Sequence, residues 1–142
     1  MKINQKQDPG YETVSIDCVG FADPYAVEGV LVLRTESGKE FPIRAFSGEV
    51  AKHISDFLEN KEESVPTIYK MVLEMCEENE QTLVKVKIYD AGGDMLRANL
   101  YLTGKKDVIL RNYRASDALA LASIYNIPIL IRRSLLTEKL EV

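Results

Sequence analysis

The sequence predicts an α+β fold with a mixed, largely antiparallel sheet and three helices. Two observations predict it. Most apolar segments alternate with a period of two and are joined by short turns that contain glycine, and no repeated strand–helix–strand unit is present. The predicted order is three strands, two helices, three strands, one helix and a last strand. With 142 residues, the chain is long enough for one domain with its own core.

Each predicted strand combines β-branched and aromatic residues with a turn signal at one end or both. The strands are predicted at residues 11–21, 27–34, 40–44, 81–89, 95–103, 108–110 and 129–131. The helices are predicted from apolar residues at helical spacing. They are expected at about residues 47–59, 66–79 and 116–126.

The second predicted helix has apolar side chains at the i, i+3 and i+4 spacing of one helix face. This face contains Ile68, Met71, Val72, Met75 and Cys76. We expect it to pack against the core, and not to line a cofactor site.

The N-terminal residues 1–10 are polar and are predicted to form a flexible tail before a single domain at residues 11–142. They lack the apolar run of a signal peptide, and no apolar run in the chain approaches the roughly 20 residues that span a membrane. We therefore expect a cytoplasmic protein with no membrane partner.

The two cysteines, Cys18 and Cys76, are far apart in sequence and neither belongs to a CxxC pair. We predict that both are buried and act as small hydrophobic residues, not as metal or redox groups. Because His53 is the single histidine, a metal site with several histidines is excluded.

The charged residues are unevenly distributed along a chain whose net charge is −4. Residues 1–80 contain eight basic and sixteen acidic side chains, whereas residues 81–133 contain nine basic and four acidic ones. A basic excess of this kind favours a surface that binds phosphates. Lys85 and Lys87 alternate along a predicted strand, and we interpret them as part of an ordinary solvated face.

A polar group that contains Arg111, Arg114, Ser116 and Asp117 precedes the third predicted helix, which is apolar almost all round. Such a helix is buried, so the polar group is held rigidly against the core. Ser116 is expected to cap this helix, and Asp117 suits the positive end of its dipole. Arg114 binds Asp117, fixes a loop or contacts a phosphate, and we favour a structural clamp over a ligand contact.

A similar pattern occurs earlier in the chain. Arg44 and Arg111 each precede an aromatic residue by two positions, and each is followed by an acid at a helix start, Glu49 or Asp117. This suggests an internal duplication, in which the two acids would face each other near a pseudo-twofold axis. His53 follows Glu49 by four positions and is the one imidazole available as a general base, although an incidental pair on a helix surface is the favoured interpretation.

Three blocks of the sequence resemble, in this order, the bifunctional nuclease (BFN) family, domain of unknown function 151. They are Phe41–Ala51, Pro66–Leu73 and Arg114–Ala122 with the following Ile127–Ile129. The resemblance covers about residues 12–136, and its most specific part is the Arg-x-Ser-Asp-Ala block. It implies hydrolysis of DNA and RNA with little sequence specificity. P-loop, GxGxxG, GxSxG and HExxH motifs are absent.

The chain departs from the family pattern at four positions. The first aspartate of the family signature falls at Asn112, and its proline falls at Ala115. The family's adjacent histidine and aspartate fall at Ile68 and Tyr69. Two acids and one histidine of the family are therefore absent.

The resemblance and the polar clusters together predict a nuclease in which Glu49 and Asp117 are the catalytic carboxylates. Such a nuclease would use a divalent metal such as Mg²⁺ or Mn²⁺. The side chains expected to bind DNA or RNA are Arg44, Arg111, Arg114 and Ser116. The alternatives are a non-catalytic module that binds nucleic acid or small anions, and a structural oligomeric protein. We expect a homo-oligomer, either a dimer or a trimer.

Overall fold

The computed structural model describes residues 8–60, 67–93 and 95–136. Its strands are β1 (Tyr11–Phe21), β2 (Glu28–Arg34), β3 (Glu40–Ser47), β4 (Gln81–Asp90), β5 (Leu96–Gly104), β6 (Val108–Arg114) and β7 (Ile129–Arg132). Its helices are α1 (Gly48–Leu58), α2 (Ile68–Glu78) and α3 (Ala115–Ile124), with a short 3-10 helix at Arg133–Leu135. The predicted element order and the α+β class are confirmed.

The strands form one sheet in the order β3-β2-β1-β7-β4-β5-β6. All neighbouring strands are antiparallel except β4 and β7, which are parallel. The predicted mixed, largely antiparallel sheet is therefore confirmed. The last strand, β7, lies in the middle, where it joins the strands of the two halves of the chain.

The helices cover one face of the sheet, and α3 lies against both α1 and α2. Every residue of α3 except Asp117 is buried. Its core-facing side chains, such as Leu119, pack with sheet residues such as Val86 and Ile131. The prediction that a helix apolar on all sides is buried is confirmed, and Asp117 is the one group through which α3 reaches the surface.

The two halves of the sheet share the same irregularities. Strand β1 carries an extra residue at Asp17 and β4 carries one at Val84, each opposite the neighbouring strand of its half. Strands β3 and β6 are also bulged, and there the backbone of Ala45 (φ 61°) and Asn112 (φ 67°) is left-handed. The number of residues that separates Asp17 from Val84 is the same as the number that separates Ala45 from Asn112. We therefore describe β1-β2-β3-α1 and β4-β5-β6-α3 as repeats of one structural unit.

The predicted core face of α2 is wrong. Its exposed members are Ile68, Met71, Val72 and Met75. The helix instead buries Leu73 and packs Tyr69 and Cys76 partly against the core. Two faces of this helix carry apolar side chains, and the contacts with β4 and α3 determine which face is covered.

Cys18 is exposed, although it is predicted to be buried. The bulge at Asp17 shifts the strand so that Cys18 pairs with Val32 on the outer face of the sheet. Cys76 is partly covered in α2.

The segment before β1 is attached to the sheet from Asp8 onwards, and residues 1–7 of the predicted tail lie outside the described residues. The side chain of Asp8 is buried, and its Oδ1 lies 2.9 Å from the Lys85 ammonium. The same oxygen contacts Lys87. Lys85 and Lys87 are largely covered, so they do not form the solvated face that their alternation predicts.

None of the helices within the described ranges combines the length and the apolar composition that crossing a membrane requires.

Candidate functional site

A cleft of about 500 Å³ opens where the first turns of α1 and α3 meet the beginning of β5. Its polar lining includes Arg44, Ser47, Arg97, Arg114, Ser116 and Asp117. Four of the six predicted site residues therefore line one cavity. Glu49 and Arg111 are not among the lining residues.

The repeated unit explains why these residues meet. Strand β3 runs directly into α1, and β6 runs directly into α3, in each case just after a bulge with a left-handed residue. The residues that follow the two bulges, including Ser47 and Arg114, border the same cleft. The chain thus brings two helix N-termini and their preceding strands to one place.

The two helix N-termini differ in how they are capped. The Ser47 hydroxyl accepts a hydrogen bond from the backbone N–H of Glu49 at 3.1 Å, whereas the N-cap of α3 is Arg114, which makes no side-chain cap hydrogen bond. The prediction that Ser116 caps α3 is wrong, because β6 continues to Arg114 and the helix has already begun when Ser116 is reached. The first turn of α3 therefore keeps backbone N–H donors and the positive end of its dipole for an anion.

Three arginines, Arg44, Arg97 and Arg114, are among the residues that line the cleft. Sequence reasoning identified Arg44 and Arg114 but not Arg97. Arg97 pairs with Arg114 across β5 and β6. The turn between β5 and β6 contains the signal for this pairing, because this turn and the bulge in β6 set the register that places residue 97 beside residue 114.

The carboxylate of Asp117 is held from the side of α2. The Tyr69 hydroxyl donates a hydrogen bond to Asp117 Oδ1 at 2.7 Å. Burial raises the pKa of the Tyr69 phenol well above its usual value, and the bond to Asp117 and the charges of Asp117 and Glu49 raise it further, while Arg114 opposes them. Tyr69 is therefore a firmly protonated donor that orients this carboxylate.

Glu49 lies beside the cleft and not in it. Its side chain is 81% exposed, and its Oε1 lies 3.6 Å from His53 Nε2. The His53 ring in turn stacks on Phe57 and meets the edge of Tyr69. The two predicted catalytic acids are thus connected through Tyr69, which bonds Asp117 directly and lies next to the His53 ring that Glu49 contacts. Their positions in the first turns of α1 and α3 are as predicted.

The clamp predicted for Arg114 does not take the form of an ion pair with Asp117. Among the residues that the structure describes, no ion pair within 4.0 Å joins these two side chains. Arg114 is exposed at the end of β6, so its guanidinium is available to a ligand in the cleft.

The donor set does not fit a preassembled divalent metal site. Across residues 8–60, 67–93 and 95–136, no group of three or more His, Cys, Asp or Glu side chains is placed to hold a metal ion. At the position of the family's first aspartate, Asn112 instead accepts a hydrogen bond from the Tyr89 hydroxyl. Its backbone N–H donates to Asn99 Oδ1 at 3.2 Å. Asn112 is thus used within the sheet.

Comparison with known families agrees with this architecture. The family model described as the bifunctional nuclease domain matches residues 31–141, which include the whole cleft, and indicates a nuclease-like or nucleic-acid-related function. Among curated proteins there is no significant match. Since the matched residues make up most of the chain, this protein belongs to the bifunctional nuclease domain family.

Proposed function

We propose that the cleft binds the phosphodiester backbone of DNA or RNA and hydrolyses it. The observation that carries the proposal is the convergence of three arginines, an α3 N-terminus without a side-chain cap and one oriented carboxylate in a single cleft. Guanidinium forks and free backbone N–H groups are the donors that proteins use for phosphate. The cleft is open to a polymer, and its volume of about 500 Å³ is enough for a phosphate with its sugars.

The same donor set supports low sequence specificity. Contacts to phosphate position a nucleic acid without reading its bases, and base readout requires side chains aimed at base edges. Arg44, Arg97 and Arg114 carry charge that suits any phosphodiester. We expect similar binding of different sequences, with an affinity that falls steeply as salt increases.

Hydrolysis would depend on Asp117. A water oxygen forms a bond to phosphorus while its proton passes to the Asp117 carboxylate, and the bond from phosphorus to the departing sugar oxygen breaks. That oxygen takes a proton from solvent. Arg97 and Arg114 stabilise the charge that develops on the phosphoryl oxygens, and Tyr69 keeps Asp117 in position through its hydrogen bond.

The remaining predicted site residues have supporting roles in this proposal. Glu49 does not contact the phosphate; it contacts His53, whose ring lies next to Tyr69. Arg111 is exposed on β6, so it extends the basic surface beyond the cleft. Ser116, which is buried in the first turn of α3, contributes its backbone N–H.

A cleavage assay tests the proposal on single- and double-stranded DNA and RNA, with and without Mg²⁺ or Mn²⁺. General bases contribute about 10²–10⁴-fold, so Asp117→Asn is expected to lower the rate by about 100-fold or more. Asp107→Asn is the matched control, because this acid lies in the β5–β6 turn and bonds only Thr103 in the described residues. Cleavage that survives Asp117→Asn unchanged would refute the assignment.

A second candidate function is nucleic-acid binding without catalysis. Two observations favour it: Tyr69 already occupies one oxygen of Asp117, and the described residues contain no group suited to a metal. Salt-dependent binding that Arg114→Ala weakens, with no cleavage under any metal condition, would establish this function instead. The homo-oligomeric state stays a prediction, which light scattering of the purified protein would test.

A further inference from the structure

The outer face of the sheet, opposite the helices, carries a cluster of lysines and tyrosines. We call Lys85, Lys87, Tyr11 and Tyr101 the lysine–tyrosine cluster. The ammonium groups of Lys85 and Lys87 lie 5.2 and 5.1 Å from the centre of the Tyr101 ring. Lys87 is also 4.7 Å from the Tyr11 ring. Both ammonium groups thus lie over the Tyr101 ring, and this arrangement suits an anion that binds next to a flat ring.

An internal anion occupies this cluster. Oδ1 of Asp8 contacts both ammonium groups, at 2.9 Å from Lys85, and the Asp8 side chain is 0% exposed. Its other oxygen, Oδ2, is buried and has no hydrogen-bond partner. The carboxylate therefore matches the cluster incompletely, since two ammonium groups carry six N–H donors and only one oxygen is used. A phosphate group, with more oxygens and a tetrahedral shape, matches the donors better.

Strand pairing at this position does not require a lysine and a tyrosine. The repeated unit provides an internal comparison, because the pair Lys85–Tyr101 follows the bulge of β4 as the pair Cys18–Val32 follows the bulge of β1. The ladder position is thus occupied by small and apolar residues in the first unit. The lysine and the tyrosine of the second unit serve a purpose other than strand pairing.

The cluster is connected to the cleft along one strand. On the outer face of β5, Tyr101 is followed by Asn99 and then by Arg97, because alternate residues of a strand share a face. These four steps span about 13 Å. Arg97 lines the cleft. A phosphodiester chain bound at the cleft therefore reaches the lysine–tyrosine cluster by following a single row of polar side chains.

We propose that the lysine–tyrosine cluster is a second binding site for the nucleic-acid backbone, and that Asp8 closes it by standing in for a phosphate. This proposal rests on the function proposed for the cleft. A phosphate displaces Asp8 from Lys85 and Lys87, and the neighbouring base stacks on the partly buried ring of Tyr11 or Tyr101. The segment that carries Asp8 thereby restrains binding until a nucleic acid long enough to extend beyond the cleft arrives.

Binding of a labelled single-stranded DNA of about 15 nucleotides tests the proposal. Asp8→Asn is expected to tighten binding by about fivefold or more, because the competing carboxylate charge is removed. The two phosphate contacts at Lys85 and Lys87 also contribute about 1.4 to the slope of log affinity against log salt. Adding Lys85→Gln and Lys87→Gln to the Asp8→Asn variant should abolish both the tighter binding and this contribution to the slope.

Glu12→Gln is the matched control. Glu12 is an acid of β1 that also pairs with two cations, Lys39 and Arg133, so its substitution changes the net charge equally. An equal gain with Glu12→Gln, or no gain with Asp8→Asn, would overturn the proposal. Inorganic phosphate is the second probe, and if it binds the Asp8→Asn protein as tightly as the DNA does, the site is for free phosphate and the proposal fails.

A measurement on the unmodified chain covers the case in which Asp8→Asn does not fold. The Tyr11 amide donates to the Asp8 carbonyl at 3.2 Å. Bound DNA should therefore speed hydrogen exchange at this amide, and unchanged exchange would contradict displacement of Asp8. If Arg114→Ala weakens binding while Asp8→Asn has no effect, only this second site is refuted. If neither substitution changes binding, the function proposed for the cleft fails as well.

Discussion

Replacing Tyr69 by phenylalanine removes one hydroxyl and tests how Asp117 is held. The hydroxyl donates to Asp117 Oδ1 at 2.7 Å from a partly buried position. Hydrogen bonds to charged groups contribute about 1.5–3 kcal/mol, and partial exposure favours the lower end. We expect Tyr69→Phe to lower the free energy of unfolding by about 1.5 kcal/mol, or the Tm by about 4 °C.

The pH dependence of this effect has a defined sign. The pKa of Tyr69 is raised in the folded protein, whereas in the unfolded chain a tyrosine loses its proton near pH 10. Above pH 10 the unfolded state binds fewer protons, so stability falls as pH rises, by at most about 1.4 kcal/mol per pH unit before solvent screening. Below pH 10 the full contribution is present. Tyr69→Phe should lack this alkaline loss.

Urea unfolding of both proteins at neutral and alkaline pH measures the effect, and Tyr25→Phe is the control. Tyr25 is 85% exposed, so the loss of its hydroxyl should change stability by less than about 0.5 kcal/mol. A double-mutant cycle with Asp117→Asn isolates the contact. Equal effects for Tyr69→Phe and Tyr25→Phe, together with a coupling energy near zero, would refute the view that Tyr69 orients Asp117.

Three further predictions concern packing, backbone and acid stability. Leu73→Ala should lower the free energy of unfolding by about 2–5 kcal/mol in urea, whereas Met75→Ala should lower it by less than about 0.5 kcal/mol, because Leu73 is buried in α2 and Met75 is exposed. Equal losses for the two variants would contradict the buried face that the structure shows. Gly48→Ala should lower the Tm strongly while Gly20→Ala does not, since a Cβ at Gly48 would lie 1.9 Å from a backbone oxygen and one at Gly20 meets no atom within 4 Å. Burial alone would raise the pKa of Asp8, but Lys87 and Lys85 outweigh it and lower that pKa below 3.8. Its stabilising contribution is therefore present above about pH 4 and is lost as pH falls through the lower folded pKa, so Asp8→Asn should flatten the acid side of a stability–pH profile.

The order and type of the elements were predictable because each carries a local signal. Strand alternation, the glycines of the hairpin turns and helical spacing act over a few residues, so they can be seen in the chain alone. The burial of α3 followed in the same way, from a helix with apolar residues on all sides. The resemblance to the family likewise depends on local blocks such as the one that begins at Arg114.

Four of the six polar residues named for the cleft were predictable for a related reason. Arg114 and Asp117 lie in the most specific block, and Arg44 lies in the matching pattern of the first unit. Arg97 was not predictable, since it enters the cleft through its pairing with Arg114 across two strands. Tyr69 was seen only as a departure from the family, and its role depends on a contact between α2 and α3.

By itself, the sequence determined the α+β class, the order of the elements and the family, and it suggested an internal repeat. Only the tertiary structure decided which face of α2 is buried, where α3 begins and what Lys85 and Lys87 bind. The reason is physical: periodicity and turn chemistry are properties of neighbouring residues, whereas a covered face depends on distant neighbours. The contact between Asp8 and Lys85 joins residues 77 positions apart, so no local pattern contains it.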